Sequence, residues 1–410
     1  MVRLFFLSVM ILLLSGCVAT TAQEIQSTVP PTVQAHATEP AVPPTTGATP
    51  MATSVAPTAT SSADTVASAE RAAFADAWQH ANQGEAEATA LLYFGPFDET
   101  ASAPMALWSV RLDSTEPPQL VGDSPLLAST VVDAALSTDE QWIAYSTPLG
   151  DWPNELRIVR VDGTDERVID TLTSHTDCFP IFAWLQGSST LIYNAGTTGF
   201  WAYDATTGSD RLAIPYEQAG GFVGRDSQDR IVMAVRHQTQ QARDLVAADP
   251  LTGEQEVLGQ LPQPTTETLF CRKLSPDGRY LLFGMSQSAY QPYLFDRVTG
   301  QSEEIDIVPD QAFWAQDSQH VLTFGDGTAG TVSVYAVPDM PVVARAVLPP
   351  VGNDGVPSGV RGVSPDGQWL VGCFGNSYNQ QSWLYHMPTQ TWQQLSSSGP
   401  CIQVIGWNTQ

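Results

Sequence analysis

The stretch Leu274-Ser275-Pro276-Asp277-Gly278-Arg279-Tyr280-Leu281-Leu282-Phe283 joins a tight turn to an apolar run. Its first half favours a turn because proline fixes φ, aspartate accepts hydrogen bonds from nearby backbone amides and glycine tolerates a positive φ. The apolar residues that follow predict a buried strand. The same block recurs as Val363-Ser364-Pro365-Asp366-Gly367-Gln368-Trp369-Leu370-Val371. The sequence therefore repeats a unit of turn followed by strand.

Weaker copies of this block occur along the rest of the chain. They are Leu136-Ser137-Thr138-Asp139, Trp184-Leu185-Gln186-Gly187, Val223-Gly224-Arg225-Asp226, Trp314-Ala315-Gln316-Asp317 and Trp407-Asn408-Thr409-Gln410. The opening residues of all the copies are 136, 184, 223, 274, 314, 363 and 407. Their mean spacing of about 45 residues indicates an array of like units.

A second turn recurs within the units. Each copy begins with aspartate and ends with glycine, which suits a type I turn closed by a hairpin bulge. The copies are Asp204–Gly208, Asp249–Gly253 and Asp296–Gly300. Two tight turns per unit predict four-stranded antiparallel sheets. Short strands at this period predict an all-β propeller.

The two ends of the array complement each other. Residues Ile402–Trp407 have the pattern of a first strand without a second, and Ala88–Phe94 that of a second strand without a first. We expect the C-terminal strand to complete the N-terminal blade, so that no sheet edge is left at the seam. This arrangement gives seven blades, with six or eight as alternatives.

Residues 1–17 have the pattern of a lipoprotein signal peptide. Arg3 precedes the apolar run Leu4–Leu14, which is too short to span a bilayer. The run ends in Leu14-Ser15-Gly16-Cys17, which resembles a bacterial lipobox. The resemblance implies that Cys17 carries lipid, palmitate included. We therefore expect an anchor in the cell membrane or outer membrane, with the chain facing the extracytoplasmic space.

Three segments follow the signal peptide. Residues 18–66 are rich in Thr, Ala and Pro and predict a disordered tether. Residues 67–84 predict a short helix whose Phe74 and Trp78, one turn apart, pack on the propeller. Residues 85–410 form the propeller domain.

Charge narrows the range of partners. The chain has 43 acidic and 17 basic residues, and Lys273 is the only lysine. So acidic a surface repels phosphate backbones, which argues against a nucleic-acid partner. We expect a monomer.

The sequence lacks recognisable catalytic motifs. Gly284-Met285-Ser286-Gln287-Ser288 lacks the closing glycine of a nucleophile elbow. The spacings of the six histidines support no zinc site, so we expect neither metal nor cofactor. On this basis we predict a protein that is not an enzyme.

The mature chain contains four further cysteines, and secretion permits disulfides. Antiparallel strands of neighbouring blades bring Cys373 and Cys401 to one rim, which favours this pair. Free buried thiols are the alternative.

The Ser-Pro-Asp-Gly blocks at 275–278 and 364–367, each between an apolar residue and an apolar run, resemble the WD-like repeat of TolB-type propellers. Trp184, Trp314 and Trp407 occupy the aromatic position that often precedes this block. The resemblance implies a propeller in the cell envelope. We expect a binding protein. The alternatives are a propeller hydrolase or lyase that works at the central funnel, and an envelope component of Tol-like type.

The long connections between strands predict the binding face, because variable loops on a rigid scaffold usually carry function. We expect them to bind a protein, peptide or glycan in the cell envelope. The residues selected are Trp152, His237, Tyr290, Asp326 and Tyr378.

Overall fold

The computed structural model describes residues 62–97, 104–114, 116–122, 127–128, 130–148, 154–172, 182–236, 243–261, 268–286, 290–325, 329–351, 355–376, 379–397 and 399–409. Contacts group Ala59–Gln410 into one compact unit. Within the described ranges, none of the helices combines the length and the hydropathy needed to cross a bilayer.

The strands form seven antiparallel sheets, which are the blades of a propeller. Blade I contains β1 (Ala88–Pro96), β2 (Met105–Arg111), β3 (Gln119–Leu120) and β4 (Leu127–Ala128). Blade II contains β5 (Asp133–Leu136), β6 (Trp142–Pro148), β7 (Asn154–Arg160) and β8 (Arg167–Leu172). Blade III contains β9 (Phe182–Trp184), β10 (Thr190–Asn194), β11 (Gly199–Asp204) and β12 (Ser209–Pro215).

The other four blades follow in chain order. Blade IV contains β13 (Gly221–Arg225), β14 (Ile231–Arg236), β15 (Arg243–Ala248) and β16 (Gln255–Leu261). Blade V contains β17 (Thr268–Leu274), β18 (Tyr280–Ser286), β19 (Tyr290–Asp296) and β20 (Gln301–Glu304). Blade VI contains β21 (Ala312–Trp314), β22 (His320–Phe324), β23 (Thr331–Ala336) and β24 (Val342–Val347). Blade VII contains β25 (Gly359–Val363), β26 (Trp369–Asn376), β27 (Asn379–His386) and β28 (Thr391–Ser396).

The last strand, β29 (Gln403–Thr409), closes the ring. It pairs antiparallel with β1, with Leu91 opposite Trp407 and Tyr93 opposite Val404. Blade I therefore combines both ends of the propeller sequence, and both the composite blade and the count of seven are confirmed.

The recurrent turn between first and second strands is closed by side chains. Ser275 Oγ donates to Asp277 Oδ1 at 2.6 Å and accepts from the backbone N–H of Tyr280 at 2.9 Å. Gly278 adopts φ +72°, a value that glycine tolerates without strain. Ser364 and Asp366 make the same bond at 2.5 Å. The repeated aspartates thus have a structural role in the turn.

The tryptophans that end first strands join neighbouring blades. Trp184 Nε1 donates to the carbonyl of Ala135 at 3.0 Å, and Trp314 Nε1 donates to that of Lys273 at 2.9 Å. Each acceptor lies in the first strand of the preceding blade. The aromatic residue of the repeat therefore links adjacent strands around the channel.

The alignment of the repeat in blade IV is wrong by two residues. β13 runs to Arg225, which therefore occupies the position that Leu274 holds in blade V, and Val223 lies inside the strand. The physical reason is the turn: Asp226 Oδ1 accepts hydrogen bonds from the backbone N–H groups of Gln228 and Arg230, so the turn begins at Asp226 and Arg225 ends the strand. The register of β13 against β14 also shifts before Arg225. An arginine thus replaces the apolar residue that opens the block elsewhere.

Helix α1 (Ser62–Ala81) begins earlier than the sequence pattern indicated. Phe74 and Trp78 are 2% and 1% exposed and pack between blades VI and VII. At its outer end Ser68 Oγ donates to Gln390 Oε1 at 3.1 Å, in the β27–β28 turn. Just after the helix ends, Asn82 Oδ1 accepts a hydrogen bond at 3.1 Å from the backbone N–H of Gln316, which lies in the β21–β22 turn. The helix therefore lies across the face that carries the tight turns, here named the short-turn face.

Cys373 in β26 and Cys401, which precedes β29, form a disulfide with a Cα–Cα distance of 5.9 Å. The bond joins blade VII to the composite blade. Cys178 lies outside the described residues, and Cys271 belongs to β17.

Candidate functional site

Irregular first strands shape the central channel. Apart from β13, β17 shifts register against β18 between Phe270 and Lys273, and β25 shifts against β26 between Val360 and Gly362. A bulge re-aims the side chains around it, and bulges are common beside functional sites. Two of the residues at these bulges are basic, Arg272 and Arg361.

The first strands of blades IV to VII enclose a cavity with the end of α1. This channel pocket has a volume of about 430 Å³. Its polar and aromatic lining includes Trp78, Arg225, Arg272, Lys273, Trp314 and Gln316. None of the described residues that line it is acidic.

Lys273 is held in a defined position. Its Nζ donates to the carbonyl oxygen of Ala312 at 2.6 Å and lies 4.9 Å from the ring centroid of Phe313. Lys273 is only half-buried, so solvent reaches it.

Arg272 lies deeper and is 5% exposed. Burial lowers the pKa of its guanidinium to about 9, and the nearby charge of Arg243 acts in the same direction. The group therefore stays charged at neutral pH. A Cβ on Gly221 would approach Arg272 Nη1 to 2.5 Å, so a larger residue at 221 would displace this guanidinium. Arg225 forms an ion pair with Asp229.

A second polar feature lies in the first strand of blade II. Burial raises the pKa of Asp133 to about 6, against the opposing effect of a hydrogen bond from the backbone of Ala134. Its Oδ2 is buried without a hydrogen-bond partner among the described residues. Ser146 lies opposite on β6, and its Oγ is likewise buried without a partner in that part of the chain. A carboxyl with this pKa can exchange a proton near neutral pH.

A larger concave site lies between blades VII and I on the short-turn face. This seam groove has a volume of about 950 Å³. Trp369, His386 and Trp392 supply half-buried rings, with the Trp369 and His386 centroids 4.3 Å apart. Burial lowers the pKa of His386, which keeps the imidazole neutral at neutral pH. Arg111 and Asp113 add an exposed ion pair at 2.8 Å.

The structure does not test the site residues chosen from the sequence. Trp152, His237, Asp326, Tyr378 and the lipidation residue Cys17 lie outside the described residues. Tyr290 begins β19, and nothing is described of its side chain. These assignments stay predictions.

Sequence reasoning missed both concave sites. One signal was present: the only lysine directly follows Arg272, just before the best copy of the repeat. The seam groove had no such signal, because its rings are also residues of the regular strand pattern.

No family model matches this chain, and no curated protein matches it. Solved structures do resemble it. A Pseudomonas aeruginosa periplasmic gluconolactonase aligns with TM-score 0.48 and 13% identity over 78% of this chain and 99% of its own. An oligogalacturonate lyase in complex with manganese aligns with TM-score 0.47 and 13% identity over 76% and 86%. TolB from Acinetobacter baumannii aligns with TM-score 0.42 and 14% identity over 81% and 85%.

These are likenesses of fold. They nevertheless correct one expectation, that the protein is not an enzyme. Lyases and lactonases are among the structures with this propeller fold, so the lack of familiar motifs did not justify that conclusion.

Proposed function

We propose that this chain is a lipid-anchored, extracytoplasmic propeller that binds a neutral glycan in the seam groove. Cys17 would carry the lipid, and residues 18–66 would hold the propeller away from the membrane surface. The observation that carries the proposal is the combination of partly exposed aromatic rings and polar side chains in one concave site.

The chemistry of the groove suits a sugar. The apolar C–H faces of a pyranose pack on indole rings, and its hydroxyls exchange hydrogen bonds with planar polar side chains. Trp369 and Trp392 supply the rings, and Arg111, Asp113 and Gln393 supply donors and acceptors. The indole of Trp392 is already fixed, because its Nε1 donates to the carbonyl of Pro349 at 3.0 Å.

Size and charge narrow the ligand. A volume of about 950 Å³ lies near the top of the range for ligand sites, which suits an oligosaccharide better than a single sugar. The groove contains both Glu87 and Asp113, and the chain carries a formal charge of −26. An uncharged glycan avoids repulsion from this surface.

The test measures binding of the full chain, purified in detergent, to an array of neutral cello-, malto-, chito- and manno-oligosaccharides. The best ligand is then titrated into Arg111→Ala and into Thr391→Ala, since Thr391 also lines the groove. Matched variants in the long connections predicted from the sequence to bind ligand are Trp152→Ala and Tyr378→Ala. We expect only the groove variants to weaken binding. Weakening by the long-loop variants alone would move the site to the face predicted from the sequence, and absence of any glycan ligand would reject the proposal.

A second candidate function is catalysis in the channel, and Asp133 favours it. Near pH 6 this carboxyl is partly protonated, so it could act as an acid towards a ligand that reaches the first strand of blade II. Incubation with the same array, followed by mass spectrometry of the products, tests it. Turnover that Asp133→Asn abolishes would support an enzyme, whereas turnover unchanged in that variant would exclude Asp133 as the catalytic acid.

A further inference from the structure

We infer that His386 determines the ligand selectivity of the seam groove, and that its protonation makes the groove a site for acidic glycans, which carry sulfate or carboxylate. The inference rests on the proposed function, because it concerns the same groove. It adds the residue and the change in pH that decide which class of glycan binds.

Two contacts hold the imidazole of His386 at the end of β27. Its ring centroid lies 4.3 Å from that of Trp369, and its Nδ1 lies 2.7 Å from Thr389 Oγ1. The same imidazole lines the groove. Because Thr389 engages Nδ1, Nε2 is the ring nitrogen that remains for a bound ligand.

The hydrogen bond of His386 continues through two hydroxyls to the groove. Thr389 Oγ1 also lies 2.7 Å from the hydroxyl oxygen of Thr391, which lines the groove. A hydroxyl has one proton, so Thr389 donates either to His386 or to Thr391. A neutral imidazole allows both directions. A sugar hydroxyl, which both donates and accepts, satisfies either one.

Protonation of His386 leaves only one direction. An imidazolium carries a proton on each nitrogen, so Nδ1 must donate to Thr389, which in turn donates to Thr391. The proton on His386 Nε2 and the hydroxyl proton of Thr391 are then both left for the ligand. Two donors, one of them charged, favour an anionic oxygen over a hydroxyl.

Protonation also changes the charge of the groove. Its described charged side chains are one guanidinium and two carboxylates, those of Arg111, Glu87 and Asp113. Two further charges lie near His386. Asp366 raises the pKa of His386, and Arg71 of α1 donates to Gln390, in the same turn as Thr389, at 2.9 Å. Burial is the larger effect and lowers this pKa from its ordinary 6.5, so His386 takes up its proton only in mildly acidic solution. The proton then cancels the net negative charge of the groove.

Nitrogen-15 NMR of the histidine side chains tests this coupling in the full chain, purified in detergent. The His386 signal is the one that disappears in His386→Gln. The chain is titrated from pH 8 to pH 5 with D-glucose, D-glucose 6-sulfate or D-glucuronate, at equal ionic strength. We expect saturation with an acid to raise the midpoint of the His386 titration by about one pH unit, because tenfold tighter binding to the protonated form requires that shift. Glucose should leave the midpoint unchanged.

The relative shifts with the two acids separate sulfate from carboxylate as the preferred group. An equal shift with glucose, or no shift with either acid, would overturn the inference.

Calorimetric titration of D-glucose 6-sulfate into variants provides a second test. The wild type should bind it about tenfold more tightly at pH 5 than at pH 8, and His386→Gln should bind it equally at both. The control is His80→Gln, which removes an exposed imidazole from the last turn of α1 and should behave as the wild type. Melting temperatures at both pH values verify that each variant is folded.

The two proposals fail separately. If a neutral oligosaccharide binds in the groove but the wild type binds the sulfate equally at both pH values, only the selectivity of His386 is rejected. If neither class of sugar binds at either pH, the glycan site is rejected as well.

Discussion

The backbone N–H of Ala88 donates a hydrogen bond to Asp366 Oδ2 at 2.9 Å. The other carboxylate oxygen of Asp366 accepts from Ser364 Oγ at 2.5 Å within its own turn. One side chain therefore closes the turn of blade VII and also holds the first residue of blade I.

This double role predicts a difference between two equivalent turns. Asp366→Ala and Asp277→Ala both remove a turn carboxylate, but only the first also removes the bond to Ala88. We expect Asp366→Ala to lower the free energy of unfolding by about 1.5 to 3 kcal/mol more than Asp277→Ala. Denaturation of both variants in urea measures the difference. Equal losses would show that the bond across the seam contributes nothing.

Deletion of residues 400–410 should unfold or aggregate the protein. It removes β29 and leaves β1 with an unpaired edge. It also removes Ile402 and Ile405, which are 1% and 6% exposed and contribute about 1.5 to 3 kcal/mol each. Size-exclusion chromatography and thermal melting detect the result. Deletion of residues 18–61, which ends before α1 begins at Ser62, is the control and should leave the melting temperature nearly unchanged.

Cys401→Ser should lower the stability by about 3 kcal/mol, because the disulfide closes a loop of 28 residues in the unfolded chain. A reducing agent should destabilise the wild type by a similar amount and have no further effect on the variant. Chemical denaturation with and without reductant makes this comparison. The prediction would be contradicted if the stability of the wild type stayed the same after reduction, with the thiols of Cys373 and Cys401 shown to be free.

Asp133 should make stability fall as the pH rises from about 4 to 6. Its pKa of about 6 in the folded chain exceeds its ordinary value of 3.8, so folding favours the protonated form. The penalty is absent below pH 4 and complete above pH 6, where it reaches at most about 3 kcal/mol. Asp133→Asn should therefore be more stable than the wild type at pH 8 and similar to it at pH 4. A constant difference between the two proteins across this range would rule out the shifted pKa.

Cys17→Ser should release the protein from membranes without unfolding it, because the lipid would be lost and the propeller retained. Fractionation in high salt, with the melting temperature as the control for folding, gives the readout. A variant that remains in the membrane fraction would refute lipid anchoring.

Much of the fold was predictable because its determinants are local in sequence. Ser275, Asp277 and Gly278 form their turn almost entirely among themselves. The six residues 275–280 therefore predict where one strand ends and the next begins. Closure of the ring was also readable, since Ala88 and Trp407 carry complementary parts of one pattern.

The sites were not predictable, for the opposite reason. Arg225 lies at the channel next to a register shift in β13, and that shift depends on pairing with β14 rather than on local pattern. Trp78 and Lys273 are nearly 200 residues apart and line one pocket only once α1 has packed on blades VI and VII. The pKa of Asp133 is a consequence of burial, which no spacing of residues in the sequence indicates.

Helix α1 also determines how the propeller responds to mechanical load. A pull on the chain before Ser62 acts first on the outer end of the helix, where Ser68 contacts Gln390. The force must then peel Phe74 and Trp78 out of the gap between blades VI and VII before it acts on β1. Under such a load, we expect the helix to detach from the propeller first, while the pairing between β1 and β29 stays intact.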